Sequence, residues 1–145
     1  MLYFDTSFLV PLIVPEATSE KVAAFLRGQP ADEFTVSHWT RVEFASLIAR
    51  EVRIGGLDAR AAARADARFE AMLEESFSIL LPSADEFALA KGYLGRFETG
   101  LRAGDALHLA IASNHRAAAI YTLDKTWLGA GVILDLPVSL GIQTE

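Results

Sequence analysis

Short apolar segments alternate with longer stretches of helical periodicity along the whole chain, and no other feature constrains the fold as strongly. The apolar segments have the length of buried strands and lie at residues 2–4, 34–36, 77–80 and 119–122. Between them, apolar residues recur at the spacing of a helix face. Because parallel strands need long crossover connections, which are usually helices, this alternation predicts an α/β domain with a mostly parallel sheet.

Helix start and stop residues refine this prediction. Helices are predicted over residues 6–13 and 19–27, and another is predicted from Asp58, which is a suitable N-cap. Residues 105–112 are apolar nearly all round, which predicts a central, buried helix. A final strand is predicted over residues 132–134, where Val, Ile and Leu follow one another.

Two four-residue patterns predict capping boxes, in which a hydroxyl and a glutamate three residues later satisfy each other's backbone N–H groups. They run from Thr40 to Glu43 and from Ser83 to Glu86. The helix that begins at Ser83 is predicted to bury one stripe of side chains, formed by Phe87, Ala90, Leu94 and Phe97.

The bulk composition limits the domain count and the compartment. A chain of 145 residues without an internal repeat or a linker suits one domain spanning 1–145. The absence of cysteine excludes a disulfide scaffold and a thiolate metal site. Without a signal-peptide pattern or a long apolar run, we expect a cytoplasmic protein and no membrane partner. A net charge of −6 means that a nucleic-acid enzyme would need a local basic patch.

Four acidic residues occupy the same kind of position relative to the predicted strands. Asp5 directly follows the first strand, and Glu43 lies in the first turn of the helix after the second. Asp105 opens the apolar helix, and Asp124 follows the fourth strand. Because ligands of α/β proteins bind beyond the carboxyl ends of the strands, all four carboxylates can face one binding edge.

Each acid also has a local structural explanation. Asp5 could be an N-cap, and Glu43 could complete the capping box with Thr40. Asp105 could complement a helix dipole, and Asp124 could be a turn residue. Two observations favour a shared site: Asp5 and Asp105 lie in the most apolar segments, and the acids recur after successive strands.

Carboxylates brought close together repel each other, which raises the pKa of some of them, and a hard divalent cation relieves the repulsion. Oxygen donors with no cysteine and few histidines favour Mg²⁺ or Mn²⁺ over Zn²⁺. Such a cation suits the hydrolysis of phosphate esters, because it can activate water and stabilise charge on a phosphoryl group. The residues therefore predict metal-assisted hydrolysis of a phosphodiester or a phosphomonoester.

Four motifs, taken together, resemble the PIN-domain family and, more narrowly, its VapC-type ribonuclease toxins. They are YFDTS at residues 3–7, VEFA at 42–45, GDALHLA at 104–110 and YTLD at 121–124. The resemblance implies a single PIN-like domain, with about five parallel strands and helices on both faces. It also implies an Mg²⁺- or Mn²⁺-dependent endoribonuclease that hydrolyses RNA phosphodiester bonds, a cognate antitoxin that covers the site, and a homodimer.

The resemblance assigns roles to the matching residues. It implies four catalytic acids: Asp5, Glu43, Asp105 and Asp124. Asp5 and Asp105 correspond to the core metal ligands. Glu43 and Asp124 correspond to acids that bind the metal directly or through water, or that orient the attacking water. The hydroxyls that hold a carboxylate or a water come from Thr6, Ser7 and Thr122.

Several further residues near these motifs have open roles. Arg102 is a candidate contact to an RNA phosphate, and Arg41 is a weaker one. Trp127 could stack on an unpaired base or pack in the core. His108 lies one helical turn after Asp105 and could reach the same face. In a helix so apolar, we expect a structural histidine bonded to the backbone.

Three alternatives to the toxin prediction remain open. The first is a housekeeping PIN nuclease that works without an antitoxin. The second is a phosphatase with Asp5 as nucleophile, which is disfavoured because Ser7 stands where those enzymes usually carry a second acid. The third is a non-catalytic module whose acids hold a metal or a partner, although the chain retains all four acids.

Overall fold

A parallel β-sheet forms the centre of the protein. The computed structural model describes residues 1–144, so Glu145, the last residue of the predicted domain, lies outside the described residues. Within them the sheet has the order β3-β2-β1-β4-β5, and each neighbouring pair is parallel. The strands are β1 (Leu2–Phe4), β2 (Phe34–Ser37), β3 (Ser78–Leu80), β4 (Ala119–Tyr121) and β5 (Val138–Ser139). The predicted α/β fold with about five parallel strands is confirmed.

Seven α-helices connect these strands within residues 1–144. They are α1 (Thr6–Leu9), α2 (Ser19–Arg27), α3 (His38–Arg53), α4 (Ala59–Ser76), α5 (Ala84–Leu94), α6 (Ala103–Asn114) and α7 (Thr126–Leu134). Among these residues, no helix is both long enough and apolar enough to cross a bilayer.

The helices cover both faces of the sheet. Tyr3 and Phe4 are consecutive in β1, so their side chains point to opposite faces, and each is fully buried in its own hydrophobic cluster. The cluster around Phe4 contains residues of α1, α3 and α4, whereas the cluster around Tyr3 contains half of the residues of α6. Every residue of α6 from Ala106 to Ala112 is buried, as predicted for the central helix.

The predicted strand over residues 132–134 is wrong, because these residues form the last turn of α7. Val132 is 83% exposed, whereas Leu134 is partly buried against the cluster around Tyr3, as expected on two sides of a helix. The last strand is β5, and α7 lies very close to it. A Cβ added at Gly131 would lie 2.8 Å from the Cβ of Val138.

Two further local predictions are wrong. Helix α3 begins earlier than predicted, after Ser37, whose N–H is bonded to the Thr40 hydroxyl at 3.4 Å. Glu43 therefore lies in the second turn and does not complete a capping box. Phe87 and Phe97 are 57% and 88% exposed, so the predicted buried stripe reduces to its middle part.

Candidate active site

The four predicted acids line one pocket at the carboxyl edge of the sheet. Asp5 follows the central strand β1, Glu43 projects from α3, and Asp105 lies in the first turn of α6. Asp124 lies in the loop between β4 and α7. The cavity has a volume of about 230 Å³ and is lined by Asp5, Thr6, Ser7, Val10, Glu43, Leu47, Asp105, Asp124 and Trp127. Residues from both halves of the chain therefore meet at one point.

Asp5 is the most enclosed of the four acids, with 4% of its surface exposed. It is the N-cap of α1, and its Oδ1 accepts the Phe8 N–H at 3.1 Å. The Ser7 hydroxyl donates to Oδ1 at 2.8 Å, and the Thr122 hydroxyl donates to Oδ2 at 3.0 Å. Burial outweighs these hydrogen bonds and raises the pKa of Asp5 to about 6.

Glu43 is held through a single carboxylate oxygen. Its Oε1 accepts the Thr6 hydroxyl at 2.6 Å and is also bonded to Nε2 of His108. Burial alone would raise the pKa of Glu43, but the contacts with His108 and Thr6 outweigh burial and hold the pKa below its ordinary value. Glu43 is therefore ionised at neutral pH.

Asp105 and Asp124 face the same pocket from its other side. Oδ2 of Asp105 accepts the Arg102 N–H at 3.4 Å, and Oδ1 of Asp124 accepts the Thr126 N–H at 2.9 Å. Burial raises the pKa of Asp105, and the nearby charges of Asp124 and Glu43 raise it further. Helix capping and turn formation thus account for one oxygen of each acid, while the carboxylates still converge.

A second cavity of about 310 Å³ shares Asp105 and Asp124 with the first. The exposed Arg102 lines it, so the structure places this predicted phosphate contact directly beside the acids. Arg41 is instead paired with Glu70, with Nε–oxygen distances of 2.9 and 3.0 Å. Trp127 is 1% exposed and packs in the core beside α6.

The sequence prediction for His108 is wrong about its partners. Its ring nitrogens contact two side chains: Nδ1 lies 2.8 Å from the Tyr3 hydroxyl, and Nε2 contacts Glu43. Two spacings in the sequence indicate only that His108 and Tyr3 lie on the same faces as two of the acids. His108 and Asp105 share a helix face at i, i+3, and Tyr3 and Asp5 share a sheet face at i, i+2.

The donor set of the pocket can be compared with the needs of a metal ion. Among residues 1–144, no three histidine, aspartate or glutamate side chains are grouped closely enough to hold a metal ion as they stand. The acids nevertheless offer only oxygen, and burial raises the pKa of both Asp5 and Asp105 above its ordinary value. This chemistry fits Mg²⁺ or Mn²⁺, which need few direct protein ligands because they retain waters.

Fold and site together define an α/β protein with a pocket of acids beyond the central strand. The chain belongs to the PIN-domain family, whose family model matches residues 2–131. The predicted family resemblance is therefore confirmed. No curated protein sequence matches the chain significantly.

Solved structures with a similar fold include a toxin and a toxin–antitoxin complex. VapC20 of Mycobacterium tuberculosis, a toxin that cleaves the sarcin-ricin loop, is 22% identical with a TM-score of 0.72, over 90% of this chain and 95% of that one. A toxin–antitoxin complex from Klebsiella pneumoniae is 21% identical with a TM-score of 0.70, over 99% of this chain and 100% of that one. FitAcB from Neisseria gonorrhoeae is 20% identical with a TM-score of 0.69, over 97% of this chain and 98% of that one. At these identities the likeness establishes the fold.

Proposed function

We propose that this protein is a metal-dependent endoribonuclease and the toxin of a toxin–antitoxin pair. The observation that carries the proposal is the convergence of four acids, from distant parts of the chain, on one pocket of a PIN-domain fold. The RNA-cleaving toxin among the proteins of similar fold supports RNA as the substrate class. Arg102 beside the acids offers a positive charge for the RNA phosphate.

Mg²⁺ or Mn²⁺ would be held by Asp5 and Asp105, with Glu43 and Asp124 binding directly or through water. Two direct ligands with two outer acids agree with the lack of a three-ligand cluster among the described residues. When bound, the cation would supply an acidified water and offset negative charge on the phosphoryl group. Ser7 and Thr122 fix the Asp5 carboxylate, so its oxygens cannot turn away from the pocket.

Glu43 is suited to orient the attacking water through a hydrogen bond to its carboxylate. Its pKa is held below the ordinary value, so the carboxylate is ionised at neutral pH. Thr6 and His108 occupy Oε1, which leaves Oε2 for the reaction. A water between Oε2 and the scissile phosphate would then be oriented for attack.

The proposal includes a protein partner, a second copy of the chain and action in the cytoplasm. One of the similar structures is a toxin–antitoxin complex, which supports an antitoxin that covers the pocket. Exposed aromatic side chains, such as Phe97 at 88%, offer apolar surface for such contacts.

The test is cleavage of total cellular RNA by the purified protein, with Mg²⁺, with Mn²⁺ and with EDTA, followed by mapping of new 5′ ends. Discrete, metal-dependent cuts are expected from the wild type and from the control Asp32→Asn, which changes an exposed aspartate. Asp5→Asn and Asp105→Asn should produce none. Cleavage that survives either of these changes, or that persists in EDTA, would overturn the proposed site.

Expression in a bacterial host tests the toxin part separately. The wild type should arrest growth, and Asp5→Asn should not, because arrest by a ribonuclease requires the intact site. RNA cleavage in vitro without growth arrest would support the proposed nuclease activity and overturn the proposed role as a toxin.

A further inference from the structure

A buried chain of hydrogen bonds connects the core to one carboxylate of the pocket. The hydroxyls of Ser37 and Tyr3 lie 3.1 Å apart, and the Tyr3 hydroxyl lies 2.8 Å from Nδ1 of His108. Nε2 of His108 then contacts Oε1 of Glu43. Ser37 and Tyr3 are fully buried and His108 is 1% exposed, so water cannot replace any of these partners.

The chemistry of the groups fixes the direction of the last bond. An ionised carboxylate can only accept, so Nε2 of His108 carries the proton that it shares with Glu43. The Thr6 hydroxyl donates to the same oxygen at 2.6 Å. Two donors therefore converge on Oε1 from different elements, α6 and α1.

The second carboxylate oxygen is confined in a different way. A Cβ added at Gly104 would lie 2.9 Å from Oε2 of Glu43, so this oxygen lies against the first turn of α6. That turn also carries Asp105. The side chain of Glu43 is thus held in one orientation, with Oε1 bonded to the protein and Oε2 beside another acid of the pocket.

We propose that His108 is a positioning residue for the nuclease reaction, which holds Glu43 so that only Oε2 is available to water or metal. The inference rests on the proposed function of the pocket. His108 touches neither the substrate nor the reacting atoms in this arrangement, and it acts through Glu43. Tyr3 in turn holds the imidazole ring, because its hydroxyl engages the other ring nitrogen.

A kinetic comparison separates this role from a purely structural one. His108→Leu removes the donor to Glu43 and should lower kcat by about 10- to 100-fold with little change in KM. His108→Gln retains an N–H donor and should restore most of the loss. His115→Leu is the matched control: it breaks a histidine–glutamate contact at the end of the same helix, with Glu86, and should leave kcat unchanged.

The decisive step repeats the substitution in a Glu43→Gln background. If His108 acts through Glu43, His108→Leu should cause almost no further loss there, since the two residues form one unit. A loss of full size in that background would overturn the proposal, because the effects would be independent. A His108→Gln variant no better than His108→Leu would also overturn it.

Nitrogen-15 NMR of the imidazole ring tests the contact without activity. The wild type should show a protonated Nε2, and Glu43→Gln should shift its resonance, while the ring nitrogens of His38 stay unchanged. A His108 resonance that ignores Glu43→Gln would overturn the proposal. A wild type that cleaves no RNA would instead reject the proposed function, and the NMR comparison would still decide whether His108 holds Glu43.

Discussion

Asp5 shows how one side chain serves both local structure and the pocket. Its carboxylate caps α1 through the Phe8 N–H and lies 4% exposed among apolar residues. The local explanation and the functional one are therefore not alternatives. A cap exposed to water would be inexpensive, whereas this cap is buried, and its raised pKa records the cost of its charge.

That cost predicts a pH-dependent gain in stability for Asp5→Asn. The pKa of Asp5 is raised from 3.8 to about 6, so the folded protein holds the proton more tightly than the unfolded chain. The stability from this group is present at pH 4 and lost as the pH rises through 6. In EDTA, Asp5→Asn should raise the free energy of unfolding by about 1–3 kcal/mol more at pH 8 than at pH 4.

Urea unfolding followed by circular dichroism measures this difference, with the exposed Asp32→Asn as the control. Asp32→Asn should change the free energy of unfolding by the same amount at pH 4 and at pH 8. A gain from Asp5→Asn that is the same at both pH values would show that burial does not raise the pKa of this carboxyl.

At the scale of elements, the close packing of α7 on β5 depends on one glycine. A Cβ at Gly131 would meet Val138 atoms at 2.8 Å, whereas a Cβ at Gly129, in the same helix, would meet nothing within 4 Å. Gly131→Ala should therefore destabilise the protein by about 1–3 kcal/mol through overpacking. Gly129→Ala should stabilise it by up to about 1 kcal/mol through helix propensity.

Thermal unfolding of the two alanine variants checks this pair. Equal effects of Gly129→Ala and Gly131→Ala would mean that the helix does not approach β5 as closely as described. Because both variants add the same methyl group to the same helix, propensity alone predicts no difference between them.

Local signals predicted most elements correctly where the chain itself carries the cause. The Asp58 side chain caps α4 by accepting the Ala61 N–H at 2.7 Å, and α2 spans the residues predicted for it. The apolar run at residues 132–134 was wrongly predicted as a strand because strand propensity reports only local preference. The helix α7 is fixed instead by tertiary packing of Trp127 in the core. The start of α3 was wrongly predicted at Thr40 because Ser37, three residues earlier, is an equally good N-cap residue.

The candidate site was predictable in part for the same reason. Positions that follow parallel strands converge on one edge whatever the details of packing, so Asp5 and Asp124 could be placed together from the sequence. The contact between His108 and Glu43 could not be predicted in this way. Glu43 lies 65 residues away in sequence, and the contact depends on how α3 lies against α6.

At the scale of the whole molecule, the metal proposal predicts ligand-linked stability. Adding Mn²⁺ well above its dissociation constant should raise the free energy of unfolding by roughly 1–3 kcal/mol at pH 7.5. The gain should shrink at pH 5, because Asp5, with a pKa of about 6, must then lose a proton before it can bind a cation.

Calorimetric unfolding in Mn²⁺ and in EDTA measures the effect. Asp5→Asn and Asp105→Asn should abolish it, whereas Asp32→Asn should not. Stabilisation by Mn²⁺ that persists in both site variants would place the cation elsewhere on the protein.

The central place of β1 has a consequence for how the protein is made. Asp5 follows β1, and this strand has neighbours on both sides only when β4 pairs with it. The Tyr121 carbonyl then accepts the Asp5 N–H at 3.0 Å. A chain released early from the ribosome, before residue 105, would carry two of the four acids and no neighbour on that side of β1. Prematurely ended translation therefore yields fragments that lack the pocket, and only a polypeptide that extends past Asp124 and Trp127 can assemble it.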